Sequence, residues 1–403
     1  MPEPGAAAGP PGGVLRGRRL GVVLFATHLL FVFWLAISNV FLGLAWVAAP
    51  WTARLRDVLR PGARPLLAAL AAYVVLLVAS VIASTEPATS VRALSEIFAL
   101  GTLLLALALI RDAGEARRLV DGVILVAVGI AGYGLFQFLI GYGDLDNRIR
   151  GPLSHYMTFS GVLLIADLLL FARLAHAQGW RNPWNWAAAV ALNVALLGSL
   201  TRSAWVALAV ALVVLVVLRA PRLLLLAPIA ALVFLLLAPA PLLHRMRSIV
   251  DLTDESNYDR ICMVRAGLTM IAERPAFGIG PDMVKSRYPI YRHPTAPRYT
   301  VPHLHNSFLQ LAAERGLPAL AAYLALMLAA TRWALARFRA EGGMAGASAD
   351  LYFGTFLALV GFNLAGLFEN NWGDTEVQRM ALFVLALPYV SATSGGASGA
   401  QAS

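Results

Sequence analysis

Apolar residues run through this chain in long uninterrupted stretches, separated by short polar clusters, and the stretches have the length of a bilayer crossing. A hydrocarbon core of about 30 Å needs roughly 20 apolar residues in one helix. Stretches of that kind occupy 65–84, 93–110, 119–140, 158–174, 186–200, 203–218, 223–238, 317–330, 351–368 and 380–392, and each predicts a membrane helix. A further stretch, 21–50, has no Asp, Glu, Lys or Arg. As one helix it would be about 45 Å long, too long for a single crossing without heavy tilt. A break near Ser38 and Asn39 would make it a hairpin.

Charge decides between the two. Arg16, Arg18 and Arg19 precede the stretch, and Arg54, Arg56, Arg60 and Arg64 follow it, so the positive-inside rule places both flanks in the cytoplasm. Two crossings then put Arg111, Arg117 and Arg118, Arg173 and Arg181, Arg219 and Arg222, and Arg332, Arg337 and Arg339 inside as well. The expectation is an all-α polytopic membrane protein of about twelve helices with both termini cytoplasmic. Its divisions are a disordered amino terminus over 1–20, membrane helices one to nine over 21–238, a large outer loop over 239–316, helices ten to twelve over 317–393, and a flexible tail over 394–403. Within the loop, 258–273 and 306–315 have helical character, while 275–302 is broken by Pro, Gly and Tyr.

Composition agrees with lipid as the main solvent, with 59% hydrophobic residues, 13% charged residues and a mean hydropathy of +0.71. The net charge of +10 is spread over topological clusters rather than along one polar stripe, which argues against a nucleic-acid partner. Nearly all of it is Arg, since Lys285 is the only lysine. Cys262 is the only cysteine, so no intrachain disulfide can form.

The strongest candidate for chemistry is the segment 301–316, reading Val-Pro-His-Leu-His-Asn-Ser-Phe-Leu-Gln-Leu-Ala-Ala-Glu-Arg-Gly. Asn306 or Ser307 can cap a short amphipathic helix that Gly316 ends, with Pro318 starting the next. His305 then sits at a helix start near the membrane surface, where an imidazole can act as general base. The bland alternative is a loop histidine bonded to backbone. Arg202 lies in a tight turn between two apolar helices, where an arginine needs an anion or a buried partner, or else snorkels to the interface. Arg260 and Arg265 lie five residues apart in one helical segment, not on one face, and either can bind phosphate bidentately or form an ion pair with Asp259 or Asp254.

An outer segment, 144–155, contains an Asp-x-Asp pair, Asp144 and Asp146, too isolated to indicate a metal, together with Arg148, Arg150 and His155. Asp167 lies inside an apolar helix and must face a partner, the bundle or water. Glu96, Asp121 and Glu369 lie near helix ends, where interfacial roles are the simpler reading. Signatures of ATP hydrolysis, dinucleotide binding, zinc proteolysis and serine hydrolysis are absent from the sequence.

Taken together, these segments resemble the O-antigen ligase family of the Wzy/WaaL ligase-polymerase superfamily, membrane glycosyltransferases of the GT-C class. The family's His-Asn, nine residues, Gly pattern is matched by His305, Asn306 and Gly316; its Ser/Thr-Arg turn by Thr201, Arg202 and Ser203; and its Arg-bearing helix followed by Pro-x-x-Gly-x-Gly by Arg260, Pro275, Gly278 and Gly280. Arg150 to His155 is similar to the family's earlier outer loop. The motifs run from Arg148 to Gly316, and the helix number covers the whole chain. His303, two residues before His305, departs from the pattern and is the alternative catalytic residue.

The resemblance implies transfer of O-antigen glycan from undecaprenyl diphosphate to the lipid A-core of lipopolysaccharide, at the periplasmic face of the bacterial inner membrane, with no metal, nucleotide or other cofactor. His305 would be the base. Arg202, Arg260 and Arg265, with Arg148 or Arg150, would hold the diphosphate, and Asn306 and His155 would support them. Attack by the acceptor hydroxyl would invert the anomeric carbon. An O-antigen polymerase or a protein O-oligosaccharyltransferase of the same superfamily would share this site. A secondary transporter would explain the helix number and Asp167, but predicts polar residues at the midplane rather than the outer surface.

Overall fold

A computed structural model describes residues 12–49, 58–59, 61–141, 148–176, 178–249, 251 and 254–390. Asp144 and Asp146, Arg54, Arg56 and Arg60, and the tail 394–403 lie outside the described residues. All regular structure among the described residues is helical.

The expected hairpin is present as α1 (Gly12–Leu30) and α2 (Leu35–Ala48), packed on each other. Helix α1 begins inside the segment expected to be disordered, because Arg18 is fixed by Glu115 at 2.7 Å. The break falls at 31–34 rather than at Ser38 and Asn39. Ser38 instead clamps the two arms: it sits buried in the first turn of α2, and its hydroxyl lies 2.8 Å from His28 Nδ1.

Six helices follow: α3 (Arg64–Ile82), α4 (Glu96–Leu109), α5 (Ala113–Leu139), α6 (Tyr156–Ala175), α7 (Pro183–Gly198) and α8 (Arg202–Arg219). Then come α9 (Ala227–Leu237), α10 (Ala240–Arg247), α11 (Glu255–Glu273) and α12 (Val284–Tyr291). The chain closes with α13 (Ser307–Ala340), α14 (Ala349–Gly366) and α15 (Thr375–Ala386). Among the described residues, seven helical segments are long and apolar enough to cross a bilayer, and the chain is a polytopic membrane protein. Five of the twelve expected crossings are not among the seven: α2, α7, α9 and α15 are short, with 14, 16, 11 and 12 residues, and α1 carries Arg16, Arg18 and Arg19 in its 19.

Helices α6 and α14 form the centre, with 83% and 78% of their spans buried. Small residues let them approach: Gly354 faces Leu169 and Ala172, and Gly361 faces Leu168. At one end of the bundle the arginines pair with acids, Arg117 with Asp350 at 2.8 Å and Arg173 with Asp121. The other end carries the large loop.

That loop has a small core of its own, with Met263, Met270, Ile279, Met283, Tyr288 and Leu304 buried together. Backbone bonds knit it into α13: Ile279 N donates to Ala313 O, Gly280 N to Glu314 O and Leu317 N to Pro275 O. The approach is so close that a Cβ on Gly278 would lie 2.3 Å from Glu314 C, and one on Gly316 would lie 2.2 Å from Ala276 O. Both have positive φ, +68° and +84°. Gly316 also kinks α13, so the amphipathic piece ends and the membrane piece begins where the sequence predicts. The loop is tied to the bundle by Thr85 N to Ile279 O at 3.0 Å, Ser90 Oγ to Pro281 O at 2.7 Å and Arg287 to Glu86 at 2.8 Å.

Replacing Gly278 or Gly316 with Ala is therefore expected to lower stability by more than about 2 kcal/mol, combining left-handed strain with backbone collision. Gly129→Ala, where a Cβ meets nothing within 4 Å, is expected to leave the melting temperature unchanged or raise it. Thermal unfolding in detergent compares the three.

Candidate active site

The segment 301–306 alternates. Val301 and Leu304 turn into the loop core, and Leu304 N is held by Gln310 Oε1 at 2.8 Å. His303 and His305 turn toward the bundle, their ring centroids 4.3 Å apart. His305 has φ +48°, an uncommon conformation for a non-glycine residue and one that concentrates at functional sites. Asn306 follows as the N-cap of α13, accepting from Leu309 N at 2.9 Å and donating through Nδ2 to Leu367 O at 2.9 Å.

Both imidazoles meet Glu369, which stands just past α14. His305 Nδ1 lies 2.9 Å from Oε2, and His303 Nε2 lies 3.5 Å from Oε1. Asn370 N donates to Oε1 at 3.0 Å, and Ser307 Oγ donates to the Glu369 carbonyl at 3.0 Å. Burial alone would raise the Glu369 carboxyl, but the charge and hydrogen bond of His305, with His303 and the Asn370 amide, hold it down to about 2. It is thus a carboxylate at neutral pH and can only accept. Nδ1 of His305 must carry the proton, which leaves Nε2 as the basic nitrogen. Burial lowers His303 to about 4 despite Glu369, so His303 is neutral.

On one side of this pair lies a cavity of about 480 Å³ that His305 borders with Arg202, Arg260, Arg265, Val206 and Phe368. It continues into a polar pocket of about 330 Å³, which His305 and Arg260 share with Arg148 and Arg245. Arg202 is positioned by Ser248, whose carbonyl and hydroxyl accept at 2.7 and 2.8 Å, and by Asp254 at 3.4 Å. Arg148 lies 4.5 Å from the centre of the Tyr156 ring. Burial lowers both Arg245 and Arg260 from the ordinary guanidinium value; Arg148 and Arg202 push Arg245 further, and Arg245 pushes Arg260. Arg245 and Arg260 each leave a buried Nε without a hydrogen-bond partner among the described residues. Clustered, partly desolvated guanidinium groups are complementary to a polyvalent anion.

The fold thus brings together Arg202, Arg260, Arg265, His305 and Asn306, with Arg148 alongside. Arg260 and Arg265 share the cavity although they are not on one helical face, because α11 presents Asn257, Arg260, Ile261, Val264 and Arg265 to it and the guanidinium stems are long. Arg150 is not brought in: it lies outside these cavities and donates to Ser154 O at 3.3 Å. His155 lines a third cavity, of about 340 Å³, with His303, His305, Glu369 and Asp374, and its Nδ1 accepts from Met157 N. Asp167 is elsewhere, buried in α6 and bonded by Asn193 Nδ2 at 3.2 Å.

Sequence reasoning missed two members. Glu369 ends an apolar run and reads as interfacial; only its proximity in space to His305 marks it. Arg245 looks like an ordinary loop cation in Arg245-Met-Arg247. His303, His305 and Glu369 have ligand atoms within 4.8 Å of one another, a nitrogen-oxygen set that suits zinc. A metal there would compete with the His305 proton for the same carboxylate.

Comparison with known proteins places residues 187–324 in a match to the family model described as O-Antigen ligase. The matched region holds Arg202, Arg260, Arg265, His303, His305 and Asn306, and leaves out Arg148 and Glu369. No curated protein matches the chain.

An arginine cluster waiting for an anion costs stability when empty. Arg260→Met is expected to raise the melting temperature of the ligand-free protein, by about 1 kcal/mol of stability or more. It should also weaken stabilisation by added pyrophosphate, with both effects read in one thermal-shift titration.

Proposed function

We propose that this chain, whose residues 187–324 match the O-antigen ligase family model, transfers a glycan from undecaprenyl diphosphate to the lipid A-core of lipopolysaccharide at the periplasmic face of the bacterial inner membrane. The reading rests on one arrangement: a histidine with a carboxylate on Nδ1, bordering a cavity lined by three arginines.

The chemistry follows from the parts. A glycosyl diphosphate already carries its leaving group, so the protein supplies a base for the acceptor hydroxyl and cations for the departing charge. Arg202, Arg260 and Arg265, with Arg148 and Arg245 in the adjoining pocket, hold the diphosphate. The apolar wall of Val206, Val264, Leu367 and Phe368 receives the first prenyl units. The acceptor oxygen attacks the anomeric carbon while its proton passes to His305 Nε2. The bond from that carbon to the phosphate oxygen breaks, its electron pair leaves with the diphosphate, and the configuration inverts. Glu369 stabilises the imidazolium formed at His305, as a buried carboxylate does behind a general base. Asp167 lies apart from these cavities, with one carboxylate oxygen accepting from Asn193 Nδ2 at 3.2 Å.

His305→Ala is expected to reduce ligation by about 10² or more and to abolish ladder lipopolysaccharide in cells. Glu369→Gln, which keeps the shape and loses the charge, should cost at least about tenfold with normal expression, and His303→Ala should cost less than His305→Ala. Full ladders from well-expressed His305→Ala would sink the assignment. In a deletion strain, accumulation of lipid-linked polymer identifies a ligase, whereas lipopolysaccharide bearing one repeat unit identifies a polymerase.

A further inference from the structure

A cavity of about 890 Å³ is bordered by His303 and by none of Arg202, Arg260 and Arg265. His303 lines it and His305 does not, while both line the 340 Å³ cavity with which it shares Pro302, Asn370 and Gly373. A ligand there would reach the histidines through that junction. The lining is amphiphilic. Membrane helices α2 and α4 contribute Leu35, Phe98 and Ala99, and Phe98 is 40% exposed. The outer parts contribute amides and charges, among them Asn370, Gln310, Arg92 and Lys285.

The charges there are not equivalent. Glu96 is neutralised by Arg315 at 2.6 Å and also accepts from Tyr73 and Gln378, and Glu314 is spent on Val284 N at 3.0 Å. Arg379 is bound to Ser38 and Asn39. Asp282, held at φ +62°, is the remaining acid. Arg92 and Lys285 are exposed and form no ion pair among the described residues. They come from different parts of the chain, the turn before α4 and the loop helix α12. The two are brought to one cavity because the loop is fastened to 85–90 by the Thr85, Ser90 and Arg287 contacts.

We propose that this cavity is a second substrate site, and that Arg92 and Lys285 select there a lipid-anchored saccharide bearing a phosphate monoester. The inference rests on the transfer reading above and deepens it. The donor diphosphate is held on the arginine side of the histidines, and the acceptor saccharide enters from the opposite side. Its acyl chains stay in lipid beside Phe98, its sugars meet the amides, and its phosphate is fixed by two cations of different type. The hydroxyl to be glycosylated then projects past His303 to His305. Such a site recognises the acceptor by charge, independently of the donor.

The test uses the full chain in phosphatidylcholine nanodiscs, with three soluble probes: a deacylated phosphorylated core oligosaccharide, the same oligosaccharide after phosphatase treatment, and inorganic phosphate. Undecaprenyl diphosphate is titrated separately. The phosphorylated oligosaccharide should bind, the dephosphorylated one at least about tenfold more weakly, and Arg92→Gln and Lys285→Gln should each cost about tenfold for the former alone. Undecaprenyl diphosphate binding should be unchanged in both variants. Unchanged oligosaccharide binding in both variants overturns the inference, as does inorganic phosphate competing as well as the oligosaccharide. So does loss of binding when phosphatidylglycerol is added, which would make this a lipid-headgroup site. The donor reading fails separately, only if the unmodified chain does not bind undecaprenyl diphosphate.

Discussion

The hydrogen bond between His305 and Glu369, 2.9 Å long, is the contact on which the site depends, because it joins parts of the chain that the membrane would otherwise keep separate. His305 belongs to the outer loop, and Glu369 to the turn after a helix that is three quarters buried in the bundle. Asn306 to the Leu367 carbonyl and Ser307 to the Glu369 carbonyl lie within two residues of it and fix the same seam. A carboxylate buried at that depth is tolerated only with partners, and here the partners are the imidazoles of His305 and His303. Structure and chemistry therefore share one interaction: the group that anchors the loop also engages Nδ1 of His305 and leaves Nε2 to face the substrate.

The arginines follow from the same desolvation argument with the opposite sign. Arg148, Arg202, Arg245 and Arg260 crowd two adjoining pockets, with Asp254 and Asp259 as the nearby acids and Arg298 paired to Asp259 at 3.3 Å. Elsewhere buried arginines meet a carboxylate closely, as Arg315 meets Glu96 at 2.6 Å and Arg117 meets Asp350 at 2.8 Å, whereas in the cluster Arg202 reaches Asp254 only at 3.4 Å. Excess positive charge is left where a ligand completes the balance. The contrast within one molecule separates stabilising arginines from binding ones more firmly than either group could alone.

The membrane character, the first hairpin, the helix capped by Asn306 and the kink at Gly316 were legible in the sequence, because hydropathy runs, Arg clusters and cap residues are local signals. Arg202, His305 and the paired motif Pro275–Gly280 were legible as parts. Their purpose was not, since Gly278 and Gly316 have positive φ and no Cβ in order to let two stretches of backbone meet, a reason visible only when both are in place. Glu369 and Arg245 were illegible for the same cause: each acquires meaning from a neighbour distant in sequence. Arg150 shows the converse, a residue that fits a motif and is turned away by the fold. The break in the first hairpin was misplaced by a few residues because polar Ser38 looked like a loop residue, whereas its hydroxyl is used inside the fold by His28.

Irregular backbone near a bilayer is tolerated where it is buried in protein or lines a cavity. The interruptions at 31–34, 199–201, 303–306 and 367–374 gather at the loop-bearing end of the bundle, and each of the four adjoins a cavity-lining residue: Leu35, Arg202, His305 and Glu369. Short helices such as α7 and α15 therefore need not be read as failed crossings. At the seam end, α7 finishes at Gly198 before the 199–201 interruption and α15 starts at Thr375 after the 367–374 interruption, where the chain leaves helical geometry. The deficit in clean spans and the existence of a site between loop and membrane have a common origin. A chain built from a dozen uninterrupted crossings would have no place at that depth to hold a histidine against a glutamate.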